Sequence, residues 1–388
     1  MYLRRTGGGR ARALPLAAVV ALASAVILTT AFSASGATSH RAGAVAHHAT
    51  TAKLTLAKAR ADVAAARKPM TKFTGPKTSP GPVPAGKSLV SIYSVPAPLP
   101  QRSAAGVAAA AEAIGWKGKV VFGNGTPSGW LAAINTAVQG GANAVAMSAG
   151  VPALMAPGIA KAKAAGAPFV DIFNGVKNPP PGLVAQIGPQ ERTQGYRLAE
   201  WIVQNTKGKG AQIIAYNSPQ FSDLQVALGG FVQGIKDAGP KYKIINTTLS
   251  PASDIGSPAG AQRMAALFRK YPQAKYIFVL SESWAGTFAQ AVQATGRHDV
   301  TGLGTDGDFF LPQIRKGAKF VEIGPDTSEY GWFAMDAILR AMNHKPQVKY
   351  NVPFRLFDNT NAKSSTGAAI ANSYDYKSAW LKLWGVKK

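Results

Sequence analysis

The chain has 388 residues, 46% of them hydrophobic and 16% charged, with a formal net charge of +25. That much apolar material excludes a disordered chain and suits one large or two medium domains. The absence of cysteine excludes disulfides, thiolate metal sites, a cysteine nucleophile and a lipid-modifiable cysteine behind a signal.

Residues 1–37 begin MYLRRTGGGRAR, continue with an apolar run from Leu14 to Phe32 and end in small residues, Ser35 and Ala37 among them. This is the layout of a secretory signal peptide with cleavage after Ala37. The apolar run is also nearly long enough to span a bilayer, so an uncleaved N-terminal anchor is the alternative. Either way the remainder is exported and works outside the cytoplasm. Residues 38–87 form a basic, proline-rich N-terminal segment, with a short surface helix expected over 52–68 and a stiff extended spacer from 68 to 87. His40, His47 and His48 fall in low-complexity sequence, and no metal site is expected there. The basic excess is concentrated in these terminal stretches and is otherwise scattered, with no recognition helix or aromatic-basic motif. It predicts attraction to an anionic envelope polymer and no nucleic-acid partner.

From 88 onward, short apolar or β-branched runs alternate with alanine-rich helical runs. Strands are expected at 88–94, 119–123, 143–148 and 168–173, separated by helices at 103–115, 127–141 and 151–166. Trp130, Ile134 and Val138 fall on one face of the second of these helices. A second set follows, with helices at 190–206, 223–239, 259–272 and 283–296 and strands at 211–217, 243–250, 275–281 and 299–305. Residues 320–326, a long helix at 328–343 and an extended 348–358 complete it. Such alternation implies an α/β fold of parallel sheets covered by helices. Two similar units on one chain suggest a ligand cleft between lobes.

Residues 302–307 read GLGTDG, formally a G-x-G-x-x-G pattern. A dinucleotide fingerprint needs that turn after the first strand of a βαβ unit. Here the strand comes late in the second unit, and Asp306 puts a carboxylate where phosphate would sit. No cofactor is expected, and Asp306 reads instead as an acceptor for hydroxyl or amine groups in a cleft.

The order of elements from Ser88 to Asp358 resembles the type I periplasmic binding proteins that deliver sugars to ABC importers. The same is true of the runs VFGNGTPSGWLAAINTAVQGGANAVAMS, YIFVLSESWAGTFAQAVQATG and VTGLGTDGD. The resemblance implies two Rossmann-like lobes joined by three crossovers at a hinge, closing on a ligand. The N-terminal lobe would comprise 88–189 plus 327–349, and the C-terminal lobe 190–326 plus 350–388. By position, the family's ligand contacts would fall on Ser94 to Ala97, Asn124 to Thr126, Ser148, Phe173 with Asn174, Ser281 with Glu282, and Asp306. The sequence departs from the sugar binders at Phe173 and Asn174, where they carry an Asp-Arg pair. It departs again at Ser281, where they carry Asn, and at Leu99 and Pro100, where they carry paired aromatics. Trp284 and Trp130, with Phe173, Phe221, Phe309 and Phe310, are the aromatics near the cleft; each either stacks on ligand or packs as ordinary core. Glu282 either meets ligand or simply complements a helix N-terminus.

The function expected first is therefore binding without chemistry. An exported monomer closes on a small polar ligand, carbohydrate foremost, and hands it to an ABC permease. A ligand-sensing or envelope-associated protein of the same fold is the alternative. A glycosidase-like enzyme would have to work with Glu282 and Asp306, since no nucleophile elbow, His-containing dyad or zinc spacing is present.

Overall fold

The computed structural model describes residues 54–387 other than 189 and 308. The proposed signal at 1–37 and the three N-terminal histidines lie outside the described residues. The described chain builds two α/β layers, with apolar central strands and more exposed edge strands.

The first sheet contains β1 (Ser88–Tyr93), β2 (Lys117–Phe122), β3 (Ala144–Ser148), β4 (Phe169–Ile172) and β5 (Leu183–Ile187), all parallel in the order β2-β1-β3-β4-β5. Every residue of β3 and β4 is buried, as central strands covered on both faces must be. Helices α2 (Pro98–Ala113), α3 (Pro127–Gln139) and α4 (Pro152–Ala164) connect them. Each begins with proline at its first positions, where the missing N–H has no helical partner to lose. For that reason α2 starts at Pro98, earlier than its alanine-rich run suggests.

The second sheet contains β6 (Ala211–Asn217), β7 (Tyr242–Leu249), β8 (Tyr276–Ser281), β9 (Thr301–Thr305), β10 (Phe320–Gly324) and β11 (Arg355–Phe357). Its order is β11-β10-β9-β8-β6-β7, with only β11 antiparallel. Around it lie α5 (Glu191–Asn205), α6 (Ser222–Asp237), α7 (Pro258–Lys270), α8 (Ala285–Thr295) and the short α9 (Leu311–Arg315). The helix expected over 283–296 is divided: a 3-10 turn at Glu282–Trp284 precedes α8, which ends at Gly296 in the left-handed region. Helix α10 (Thr327–Met342) returns to the first layer, where Tyr330, Trp332, Phe333 and Ile338 join its core.

Two segments outside this frame are packed. Helix α1 (Leu56–Ala66) lies against the second layer through Ala59 and Val63, small enough to sit close to α5. The proline-rich stretch then crosses to the first layer: Phe73 meets the ring of Trp380 edge-on, Arg340 donates to the Thr78 carbonyl, and Trp116 Nε1 donates to the Pro84 carbonyl at 2.6 Å. The segment expected as a spacer is thus bound along its length. The C-terminal residues also divide. Leu356, Phe357 and Ile370 belong to the second core, whereas α11 (Tyr376–Leu383) puts Trp380 and Leu381 into the first. Residues 350–388 therefore do not stay with one lobe, because the tryptophans on and just after α11 find their apolar surface on α10.

Candidate functional site

The C-terminal ends of strands in both sheets lie near the crossovers, and the backbone there is strained. Ala149 follows β3 with φ 61, Phe173 follows β4 with φ 77, Leu280 sits at the end of β8 with φ 71, and Asp306 follows β9 with φ 55. Left-handed residues with a side chain cost of order 1–3 kcal/mol each and concentrate where surrounding structure holds a site in shape.

Asn174 ties the two layers together. Its amide donates to Asp171 Oδ1 at 3.0 Å, and its Oδ1 accepts from Ser222 Oγ, at the start of α6, at 3.0 Å. A second bridge runs from Arg102 of α2, which lies 5.7 Å over the Phe309 ring, 3.7 Å from Asp326 and 3.2 Å from Ser328 Oγ. Asp326 caps α10 by accepting from the Ser328 N–H, so this arginine grips the crossover itself.

Around these bridges gather carboxylates. Glu191 begins α5 and is 6% exposed; burial first, then the charges of Asp306 and Asp223, push its pKa up to about 10. Asp306 is pushed up to about 8 by burial and by Asp223. Asp223, half-buried in the first turn of α6, is pushed up to about 6 by burial. Asp171, fully buried in β4, is raised by burial and, more weakly, by Asp223. Glu191 Oε1, Asp306 Oδ1 and Asp171 Oδ2 have no hydrogen-bond partner in the protein. Tyr330 of α10 is fully buried, feels the charges of Glu191, Asp306 and Asp223, and also leaves its hydroxyl unpartnered.

The residues singled out from the sequence are distributed unevenly around this cluster. Asp306 and Asn174 lie in it. Phe173 packs edge-on against Tyr330 at 4.7 Å, in the first core. Ser94 is buried and donates to the Ala149 carbonyl at 2.7 Å, and Ser148 is buried and meets Ser103 Oγ at 2.8 Å. Ser281 accepts from the Ser283 N–H at 3.3 Å, which starts the turn holding the buried Glu282. Trp284 donates to Ser250 Oγ at 3.0 Å and meets Phe221 edge-on. Asn124 is exposed in a turn with φ 57. Sequence reasoning missed Asp171, Glu191, Asp223, Ser222 and Tyr330. A signal for Asp171 did exist, an acid inside the otherwise apolar run PFVDIF.

The glycines of the GLGTDG run have packing roles. A Cβ on Gly302 would meet Phe320 at 2.5 Å, one on Gly304 the Glu282 nitrogen at 2.8 Å, and one on Gly307 the Glu322 side chain at 2.6 Å. Close approach of neighbouring chain, and not a pyrophosphate cradle, accounts for the spacing. An open cavity of about 630 Å³ lies elsewhere, beside the N-terminal ends of β8, β9 and β10, lined by Lys275, Thr301 and Lys319 among others.

A family model described as a periplasmic binding protein domain matches residues 90–349. Among solved structures, an ABC transporter solute-binding protein from Mycobacterium smegmatis with bound glycerol superposes with a TM-score of 0.66 at 19% identity, covering 74% of this chain and 100% of its own. A sugar ABC transporter protein from Yersinia enterocolitica gives 0.64 at 16% identity, over 76% of this chain and 90% of that one. The 5-methylthioribose transporter solute-binding protein from Thermotoga lettingae, in complex with 5-methylthioribose, gives 0.63 at 16% identity, over 77% and 92%. No curated protein matches at a significant level. At these identities the structural likeness establishes the fold: two α/β lobes of the type I periplasmic binding protein kind.

Proposed function

Since the chain belongs to the periplasmic binding protein domain family, we propose that it is an extracytoplasmic solute-binding protein. Its two lobes close on a small polar solute, sugar or polyol in kind, and deliver it to an ABC permease. The observation that carries this reading is the Asn174–Ser222 hydrogen bond across the lobes, beside buried polar groups contributed by both. A ligand that touches both lobes stabilises their closed arrangement over the open one, which is the thermodynamic requirement for a trap. Glycerol and 5-methylthioribose in the Mycobacterium smegmatis and Thermotoga lettingae proteins support a hydroxyl-rich solute. The chain works as a monomer, exported by its N-terminal segment, and binds without chemistry. None of the helices among the described residues is long and apolar enough to cross a membrane.

The test is a thermal-shift panel of sugars and polyols with tryptophan fluorescence in parallel. A ligand at 100 times its Kd adds about 2.7 kcal/mol to stability, a shift of several degrees. Saturable stabilisation that weakens in Asn174→Ala supports the trap. A folded protein that no solute shifts sinks it and favours a sensor or scaffold.

A further inference from the structure

We infer that the solute carries a protonated amine as well as hydroxyls, as an amino sugar or amino polyol does, and that Glu191, Asp223 and Asp306 seat its cation. This rests on the solute-binding reading and narrows it. Four of the chain's 18 acidic residues, the half-buried Asp223 with the buried Glu191, Asp306 and Asp171, gather at one place in a protein with 43 lysines and arginines. Among the described residues none of the four is ion-paired to a lysine or arginine. The nearby Arg102 is engaged by Asp326, Ser328 and Phe309, and Arg192, next to Glu191, is on the exposed face of α5. Buried carboxyls without a countercharge must either hold their protons or ionise at a cost, and a neutral solute leaves that choice unchanged, whereas a cation lets them ionise.

A second observation points the same way. The Tyr330 hydroxyl, on the other lobe, is buried and without a partner, and it feels the charges of the three carboxylates. Its unpaired oxygen is available as an acceptor for an ammonium N–H. Among the described residues no group of three or more acidic or histidine side chains forms a metal-holding set. A protonated amine on a carbon skeleton would meet these acids with its ammonium while its hydroxyls meet Asp171 and Asn174, which the hydrogen bond between those two residues places side by side. Because Glu191 and Asp306 hold their protons near neutral pH, an arriving cation displaces them, and binding releases protons.

Isothermal titration of the full protein with matched pairs tests this: glucosamine against glucose, galactosamine against galactose, and glucamine against sorbitol. Titrations run in two buffers of different ionisation enthalpy, with calcium chloride alone as a further titrant. The expected result is an amine that binds at least tenfold tighter than its hydroxyl twin, with net proton release. In Asp306→Asn, shown folded by circular dichroism, the preference should fall below threefold. A hydroxyl twin that binds as tightly as its amine overturns the inference and leaves the solute-binding reading intact. Tight binding of calcium alone overturns it by assigning the acids to a metal. Failure of every pair to bind overturns both readings.

Discussion

Asp306 carries opposing demands. Its φ of 55 is one that Asn adopts as readily as Asp, so Asp306→Asn keeps the turn while removing a buried carboxyl that must hold its proton to stay folded. The substitution should raise the stability of the ligand-free protein by on the order of 2 kcal/mol at pH 7.5 and weaken solute binding. Denaturant melts with and without solute check both halves, and a destabilised variant would contradict the account. Asn174 and Ser222 are predicted to act as a pair. Removing either side chain should lower affinity about three- to tenfold, the worth of one hydrogen bond, and removing both should cost little more than one. Of these residues only Asp306 and Asn174 were legible in the sequence. Asp306 stands at a strand end in a glycine turn, and Asn174 ends an apolar run. Glu191 and Asp223 read as ordinary acids at helix starts, and only tertiary structure shows that two helix N-termini and a strand end meet.

At the scale of elements the alternating pattern translated well, because strands buried on both faces need continuous apolar runs and their connecting helices need small residues to lie close. Where the pattern gave less, the reason is local chemistry. Pro98 opens a helix ahead of its alanine run, and the Ser281 cap bends the chain into a 3-10 turn before α8. Helix α11 was hidden because its eight residues carry no repeating signal; its role comes from three tryptophans meeting across two elements. Trp332 and Trp384 stack at 5.5 Å, and Trp380 lies edge-on to Phe333 at 4.8 Å while donating to Glu329 Oε1 at 3.0 Å. Trp380→Ala should therefore cost about 3–5 kcal/mol, on the order of 10 °C in Tm. Trp380→Phe, which keeps the ring contact and removes a donor from a buried carboxylate, should cost about 1–3 kcal/mol. Equal losses in the two variants would show that packing alone holds α11.

Across the whole molecule the chain passes between the lobes more often than the three crossovers expected from the family resemblance. The stretch between Met70 and Phe73 and that between Ile370 and Trp380 add two more passages. The second of these touches the crossover directly, for Asn372 donates to both Asp326 and Glu329. The acids near these passages share one property: Glu191 at about 10, Asp306 at about 8, Glu329 at about 7 and Asp223 at about 6 are all raised, with burial as the leading cause. The folded protein then holds protons that the unfolded chain releases above about pH 4.5, so stability must fall as pH rises from there through 8. Asp62, lowered to about 2 by its hydrogen bonds to Lys58, Glu200 and Arg197, acts in the opposite sense and only below about pH 4. Maximum stability of the ligand-free protein should thus lie near pH 5, with each retained proton worth up to ~1.4 kcal/mol per pH unit on the alkaline side. Urea unfolding at half-unit intervals from pH 4 to 9 measures the slope. Glu191→Gln should reduce that slope by about one proton over most of the range, and saturating amine solute should flatten it further, since a bound cation lets the same carboxylates ionise while folded. A stability that is level or rising between pH 5 and 8 would mean that the acids are ionised in the folded state and that the cluster is compensated by groups other than a ligand.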